Sequence, residues 1–210
     1  MAGAASVLED GSRLSQLDRG LGRVEWSMAL LSGIGAFGLM VLAVVSVGGR
    51  NAFNSPLPGY VDWIELAMPL IAIFGISYVQ RVGGHIRMDI VVGALRGRLL
   101  WLAEFLTTLA ILLLIALLVW GTWSHFDRSF DWNAPNWSRD SSIDIGLPIW
   151  PAKLIVPVAF SVMCLRLVLQ LIGFGRAFFL GLERPVAVPL VLSAAEQAAA
   201  EADQVKGHDA

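Results

Sequence analysis

The chain has 210 residues, of which 56% are hydrophobic and 15% are charged, and its mean hydropathy is +0.68. Soluble domains carry roughly a quarter charged residues, so this composition indicates a chain that has lipid as its solvent. The net charge of −2 does not favour binding to nucleic acid, which is itself negatively charged. Cys164 is the single cysteine, so a disulfide within the chain is excluded.

Four apolar segments are long enough to cross the membrane as helices, since about 20 residues are needed. They cover residues 26–49, 60–80, 99–124 and 150–175. Backbone groups in lipid must be paired internally, and the missing period-2 alternation excludes a barrel. The sequence therefore predicts an all-α integral membrane protein with a membrane domain at 24–175. Two tails flank it, at 1–23 and 176–210, and the second is expected to be partly disordered.

The first apolar segment predicts a retained helix and not a cleaved signal peptide, because it is too long and has no A-x-A exit. Small residues recur along it at the spacing i, i+3, i+4 and i+7: Ala29, Ser32, Gly33 and Ala36. Such a stripe lets another helix approach closely. We interpret it as a packing surface, either within this chain or with a partner.

Tryptophan and the basic residues indicate the span limits and the orientation. Six of the eight tryptophans lie near predicted span ends: Trp26, Trp63, Trp101, Trp120, Trp123 and Trp150. The tails and the connection between spans two and three hold ten Lys and Arg residues, and the opposite side holds four. The positive-inside rule therefore predicts that both termini are cytoplasmic.

The connection from His125 to Leu147 is the longest external loop in this topology. It alternates aromatic residues with the acids Asp127, Asp131, Asp140 and Asp144. Two interpretations stay open: a segment that lies on the membrane surface or against a partner, and a solvated loop.

Ionisable residues inside a span are costly, so each is a functional hypothesis. Glu104 and Arg166 fall at similar depth and are predicted to pair, in a structural role or in proton movement. Glu65 lies near the outer surface and could pair with Arg50, with Lys153 or with a neighbouring subunit. Pro69 is expected to kink the second span.

The sequence offers no catalytic or metal site. The histidines, His85, His125 and His208, all lie away from the middle of a span, which argues against a haem anchor. No nucleophile elbow, zinc motif or phosphate-binding loop occurs. We expect a non-enzymatic chain without a cofactor of its own.

Several runs then occur in a characteristic order. They are RNAFNSPLP from Arg50 to Pro58, WIEL at the start of span two, GHIRMD from Gly84 to Asp89, LPIWP from Leu147 to Pro151, and Arg166 within span four. Over about residues 20–180 the chain resembles the small membrane subunit of the tripartite ATP-independent periplasmic (TRAP) transporters, the DctQ-like small permease family.

The resemblance implies a bacterial inner-membrane subunit with two protein partners, a large permease and a periplasmic substrate-binding protein. It implies sodium-driven import of an organic acid, with sodium bound by the large subunit. The residues that it singles out are Arg50, Glu65, His85, Arg87, Asp89, Trp150 and Arg166. We expect His85, Arg87 and Asp89 to fix the turn at the inner surface and to contact the large subunit.

Two other functions remain open at this point. One is a stand-alone four-helix carrier that uses Glu65 as its ion-coupling carboxylate. The other is the membrane anchor of a redox complex, which predicts a haem or quinone site.

Overall fold

The computed structural model describes residues 12–55, 57–83, 98–181 and 188. These ranges contain five α-helices and no strand beyond two isolated bridges. The helices are α1 (Arg13–Phe53), α2 (Tyr60–Ile73), α3 (Ile76–Arg81), α4 (Arg98–Ser129) and α5 (Trp150–Leu180). Four stretches are long and apolar enough to cross a membrane, with α2 and α3 together forming the second. The predicted all-α fold with four spans is confirmed.

Helix α1 is longer than the span predicted from hydropathy. Its 41 residues extend over about 60 Å, roughly twice the hydrocarbon thickness. It begins at Arg13, inside the segment predicted as a tail, because Leu14, Ser15 and Asp18 are buried there. Hydropathy detects only the part of a helix that lipid solvates, and this first part is polar and held by packing.

The second span is interrupted at Phe74 and Gly75, between α2 and α3. Pro69 lies inside α2 and has no N–H, so the carbonyl of Glu65 lacks its usual helical donor. The interruption therefore lies about one turn beyond the proline where a kink was predicted.

Helices α4 and α5 have 32 and 31 residues, and α5 contributes most to the interior. In the most apolar window of α5, 33% of residues are buried, against 6% in α1. Most apolar side chains of α1 therefore face lipid or another protein.

The chain divides into two compact units. The first combines 1–22, 79–112 and 165–210, and its described part has an apolar core of Trp101, Phe174, Ala177 and Val188. The second combines 23–78 and 113–164 and includes the connection between α4 and α5.

That connection, residues 130–149, folds back on itself. Arg139 N–H donates to the Ser129 carbonyl at 2.9 Å, and Ser142 N–H donates to the Leu147 carbonyl at 2.8 Å. A 3₁₀ turn at Pro135–Trp137 lies within the first bend, between Ser129 and Arg139 in the chain. We call residues 130–149 the folded loop.

Candidate partner interface

A buried aspartate at the start of α2 fastens the folded loop. Asp62 is almost fully buried, and its carboxylate accepts hydrogen bonds from Ser142 Oγ at 2.6 Å and from Ile145 N–H at 2.8 Å. The N–H of Asp144 adds a longer bond at 3.2 Å. We call this arrangement the Asp62 latch. It fixes residues 142–145 against α2.

The approach of the loop to α2 depends on Gly59, which precedes the helix. Its φ of +69° is in the left-handed region, and a Cβ there would lie 2.4 Å from Cδ1 of Ile145. Only glycine fits both requirements, so Gly59 permits the Asp62 latch to close.

A second polar cluster holds the other end of the folded loop. Lys153 Nζ on α5 donates to Asp140 Oδ2 at 2.7 Å and to Ser129 Oγ at 3.0 Å. Ser129 Oγ donates in turn to Asp140 at 2.6 Å. The Lys153 bond, followed by the Ser129 bond, lowers the pKa of Asp140 below the ordinary aspartate value. The carboxylate therefore stays ionised and keeps this end of the loop closed.

Aromatic side chains pack around Trp150, a residue singled out by the sequence. Its ring lies 5.4 Å from that of Phe130 and 6.4 Å from that of Trp137, between ring centroids. Trp150 Nε1 also donates to the carbonyl of Asn136 at 3.0 Å. Asn136 and Trp137 have positive φ values, a conformation that costs non-glycine residues energy. The contacts of Trp150 stabilise this strained turn.

Glu65 is exposed on α2, and it forms no hydrogen bond or ion pair with any described residue. It lines an open pocket of ≈ 190 Å³ with His125, Lys153 and apolar side chains. Of the two intrachain partners considered from sequence, Lys153 is bound by Asp140, and Arg50 lines a different pocket. Glu65 is therefore a carboxylate available to a neighbouring molecule.

The buried charges of the first unit meet around Asp18. Arg166 on α5 is fully buried and donates from Nη1 to Asp18 Oδ1. The other oxygen, Oδ2, accepts from Arg81 Nη2 at 2.9 Å. Next to them, Gln80 Nε2 donates to Gln170 Oε1 at 2.8 Å. These contacts connect α1, α3 and α5 through paired polar groups.

Glu104 on α4 is also buried in this unit. Its predicted pairing with Arg166 stays a prediction, whereas the Asp18 partner was not foreseen. The sequence does carry a signal for the face on which Asp18 lies, because Asp18, Glu25 and Ser32 stand seven residues apart and share one side of the helix, but it carries none for the partner. All three are buried, and Glu25 Oε1 accepts from Ser77 Oγ at 2.5 Å.

The small-residue stripe of α1 is divided between buried and open positions. Ser32 is buried and donates to the Ile71 carbonyl at 2.9 Å, and Ala29 is half-buried. Gly33 and Ala36 are exposed, and a Cβ at Gly33 would meet nothing within 4 Å. The close helix approach within the chain is at Gly35, where a Cβ would lie 3.1 Å from Leu70 Cδ2.

His85, Arg87 and Asp89 lie outside the described residues. Within the described ranges, no group of three His, Cys, Asp or Glu side chains could hold a metal ion. What the described surface offers instead is large apolar area on the spans and an exposed carboxylate at Glu65. Those are properties of a surface for lipid and for protein partners.

The chain is similar to one family of transporter components. The family model described as "Tripartite ATP-independent periplasmic transporters, DctQ component" matches residues 39–176, which is 138 of the 210 residues. The matched range contains the Asp62 latch, Glu65 and Arg166. A search of curated proteins finds no match.

Proposed function

Since this chain belongs to the DctQ component family of the tripartite ATP-independent periplasmic transporters, we propose that it is the non-catalytic scaffold of a sodium-coupled importer of organic acids. The family makes it the small membrane subunit of a transporter and not an enzyme. The family match is the observation that carries the proposal. Sodium coupling and a carboxylate solute are its finer parts, and they rest on the same resemblance.

The scaffold role is supported by what the spans present. The apolar side chains of α1 and α4 are exposed over several turns: Leu30, Ile34, Phe37, Val41 and Val44 on α1, and Leu113, Leu114, Leu117 and Leu118 on α4. The family resemblance implies that the transport pathway and the sodium sites lie in the large permease. These apolar faces then serve lipid and that permease.

Glu65 is the polar contact that we propose for the large permease. An exposed carboxylate just inside a span is costly unless a cation neutralises it. Lys153 lines the same pocket but is paired with Asp140, and no described residue forms an ion pair with Glu65, so the proposed partner group is a Lys or Arg of the permease. A charged hydrogen bond of this kind contributes about 1.5–3 kcal/mol.

In the proposed topology, with both termini cytoplasmic in the inner membrane, the folded loop faces the periplasm. It presents Ile143, which is 96% exposed, together with Trp132. We propose that this surface helps to dock the substrate-binding protein, through a contact weak enough to be reversible. Reporter fusions that place the C-terminus outside the cell would contradict the topology.

Co-purification tests the assignment. The tagged chain is expressed in its native host, extracted in mild detergent, and the proteins that accompany it are identified. Recovery of a large permease in near-equal amount is the expected result. A chain that purifies alone and catalyses uptake in liposomes would overturn the scaffold proposal.

The Glu65 contact is tested in the same preparation. Glu65→Gln is expected to lower permease recovery, and Asp127→Asn, an exposed acid in the same unit, serves as the matched control. Equal permease recovery with wild type and Glu65→Gln would remove Glu65 from the interface and leave the subunit assignment standing.

A further inference from the structure

A second open pocket, of ≈ 370 Å³, lies at the C-terminal end of α1. Its lining includes Ser46 and Arg50 from the last turns of α1, Tyr60 from the start of α2, and Asp144 from the folded loop. Val47 and Val61 provide apolar wall. All of these residues belong to the second unit.

The polar groups of this pocket are short of partners within the described chain. Ser46 is more than nine-tenths buried as a residue, but its hydroxyl oxygen is not fully buried, and it makes no hydrogen bond to any described residue. The guanidinium of Arg50 likewise has no ion pair there. Ser46 and Arg50 stand four residues apart on one face of α1, so an accessible hydroxyl and an arginine without an ion pair are together available to an anionic acceptor in this pocket.

The Asp62 latch brings an opposite charge to the same pocket. It binds the backbone N–H of Asp144, and this exposed acidic residue lines the same pocket as Arg50. A ligand that satisfies the whole set carries an anionic acceptor for Arg50, Ser46 and Tyr60, a cationic donor for Asp144, and an apolar part for the two valines.

The position of the pocket selects among such ligands. It lies where the first apolar span ends and the second begins, which is the depth of lipid headgroups. We propose that the pocket binds one phosphatidylethanolamine molecule, with its phosphate on Arg50, Ser46 and Tyr60 and its ammonium on Asp144. Phosphatidylglycerol has no cation for Asp144, and a free phosphate leaves the apolar wall uncovered.

Native mass spectrometry of the full-length tagged chain, in whatever assembly it purifies, tests the site. After delipidation, phosphatidylethanolamine or phosphatidylglycerol is added back. Wild type is expected to bind one phosphatidylethanolamine per chain more tightly than phosphatidylglycerol. Arg50→Gln is expected to weaken binding about tenfold or more, and Ser46→Ala about two- to tenfold. Arg128→Gln, another exposed arginine in the last turn of a helix, is the matched control.

Asp144→Asn is expected to remove the preference for phosphatidylethanolamine and to leave phosphatidylglycerol binding unchanged. Unaltered lipid binding in Arg50→Gln would overturn the proposal, as would loss of a protein partner from that variant with lipid binding intact. Equal competition by glycerophosphoethanolamine, the headgroup without chains, would reassign the site to a soluble phosphate ester. The assay does not depend on the permease, so its failure is distinct from failure of the transporter assignment.

Discussion

Asp18 of α1 and Arg166 of α5 stand 148 residues apart in the chain and form an ion pair in which both side chains are buried. The same carboxylate also binds Arg81. One acid from a segment that looks like a polar tail thus neutralises two arginines from other helices. The consequence is that the N-terminal turns of α1 belong to the folded first unit.

Asp18→Asn is expected to destabilise the protein strongly, because it leaves the fully buried Arg166 and the partly buried Arg81 without the carboxylate that they share. Breaking a buried pair by removing one partner costs about 3–5 kcal/mol. The midpoint of thermal unfolding in detergent measures the effect. Arg23→Gln alters an exposed residue of the same helix and should leave the midpoint unchanged. Equal midpoints for Asp18→Asn and wild type would show that the pair contributes nothing to stability.

Asp62→Asn is expected to release the folded loop. An amide keeps one acceptor oxygen and turns an N–H₂ group toward the donors of Ser142, Asp144 and Ile145. Cleavage by a protease added to the face that carries the loop should become faster at residues 142–145. Asp127→Asn, an exposed acid outside the latch, is the control. A cleavage rate unchanged by Asp62→Asn would mean that other contacts hold the loop.

The folded loop should keep its structure at pH values below 3.8, the ordinary pKa of aspartate, because the folded state lowers the pKa of Asp140. The stabilisation from this carboxylate is complete above that value and is lost as pH falls through the lowered pKa. Lys153→Met removes the main cause of the lowering, so loop opening, followed by tryptophan fluorescence, should occur at higher pH.

Arg139→Gln is the control for this titration. Arg139 Nε binds Asp131 at 3.1 Å, but the main cause of the lowered pKa of Asp131 is the backbone N–H of Asn133, which remains. The pH midpoint of loop opening should therefore shift less in Arg139→Gln than in Lys153→Met. Identical pH midpoints in wild type and Lys153→Met would exclude the Asp140 cluster as the titrating group.

Two glycines of α1 separate packing within the chain from packing against a partner. Gly35→Val forces Leu70 to move and is expected to cost about 1–3 kcal/mol of stability, as overpacking does. Gly33→Val meets open space within the chain and should leave its thermal unfolding unchanged. If a permease helix covers the stripe, Gly33→Val lowers permease recovery. Normal recovery would leave Gly33 facing lipid.

The spans could be predicted from sequence because hydropathy measures directly how well a segment is solvated by lipid. The limits of α1 could not, since residues 13–25 are polar and become helical through contacts with distant segments. Asp18 shows this most clearly: its own neighbours suggest a solvated tail, and only the three-dimensional contacts supply Arg166 and Arg81. Hydropathy is local along the chain, and ion pairing is not.

The sequence identified some residues of the site and missed others for the same reason. Arg166 and Trp150 attracted notice by their own chemistry, an arginine in a span and a tryptophan at a span end. Asp62 has an ordinary position in the first turn of a helix, and its three donors stand 80, 82 and 83 positions later in the chain. No local pattern announces such a contact.

The Asp62 latch recognises mostly the main chain. Apart from the Ser142 hydroxyl, its bonds come from N–H groups, and none involves the side chain of residue 143 or 144. The identity of those side chains is therefore uncoupled from the way the loop is held. During divergence, this tip can exchange one surface chemistry for another, and so adapt to a different partner, while the fold that carries it stays the same.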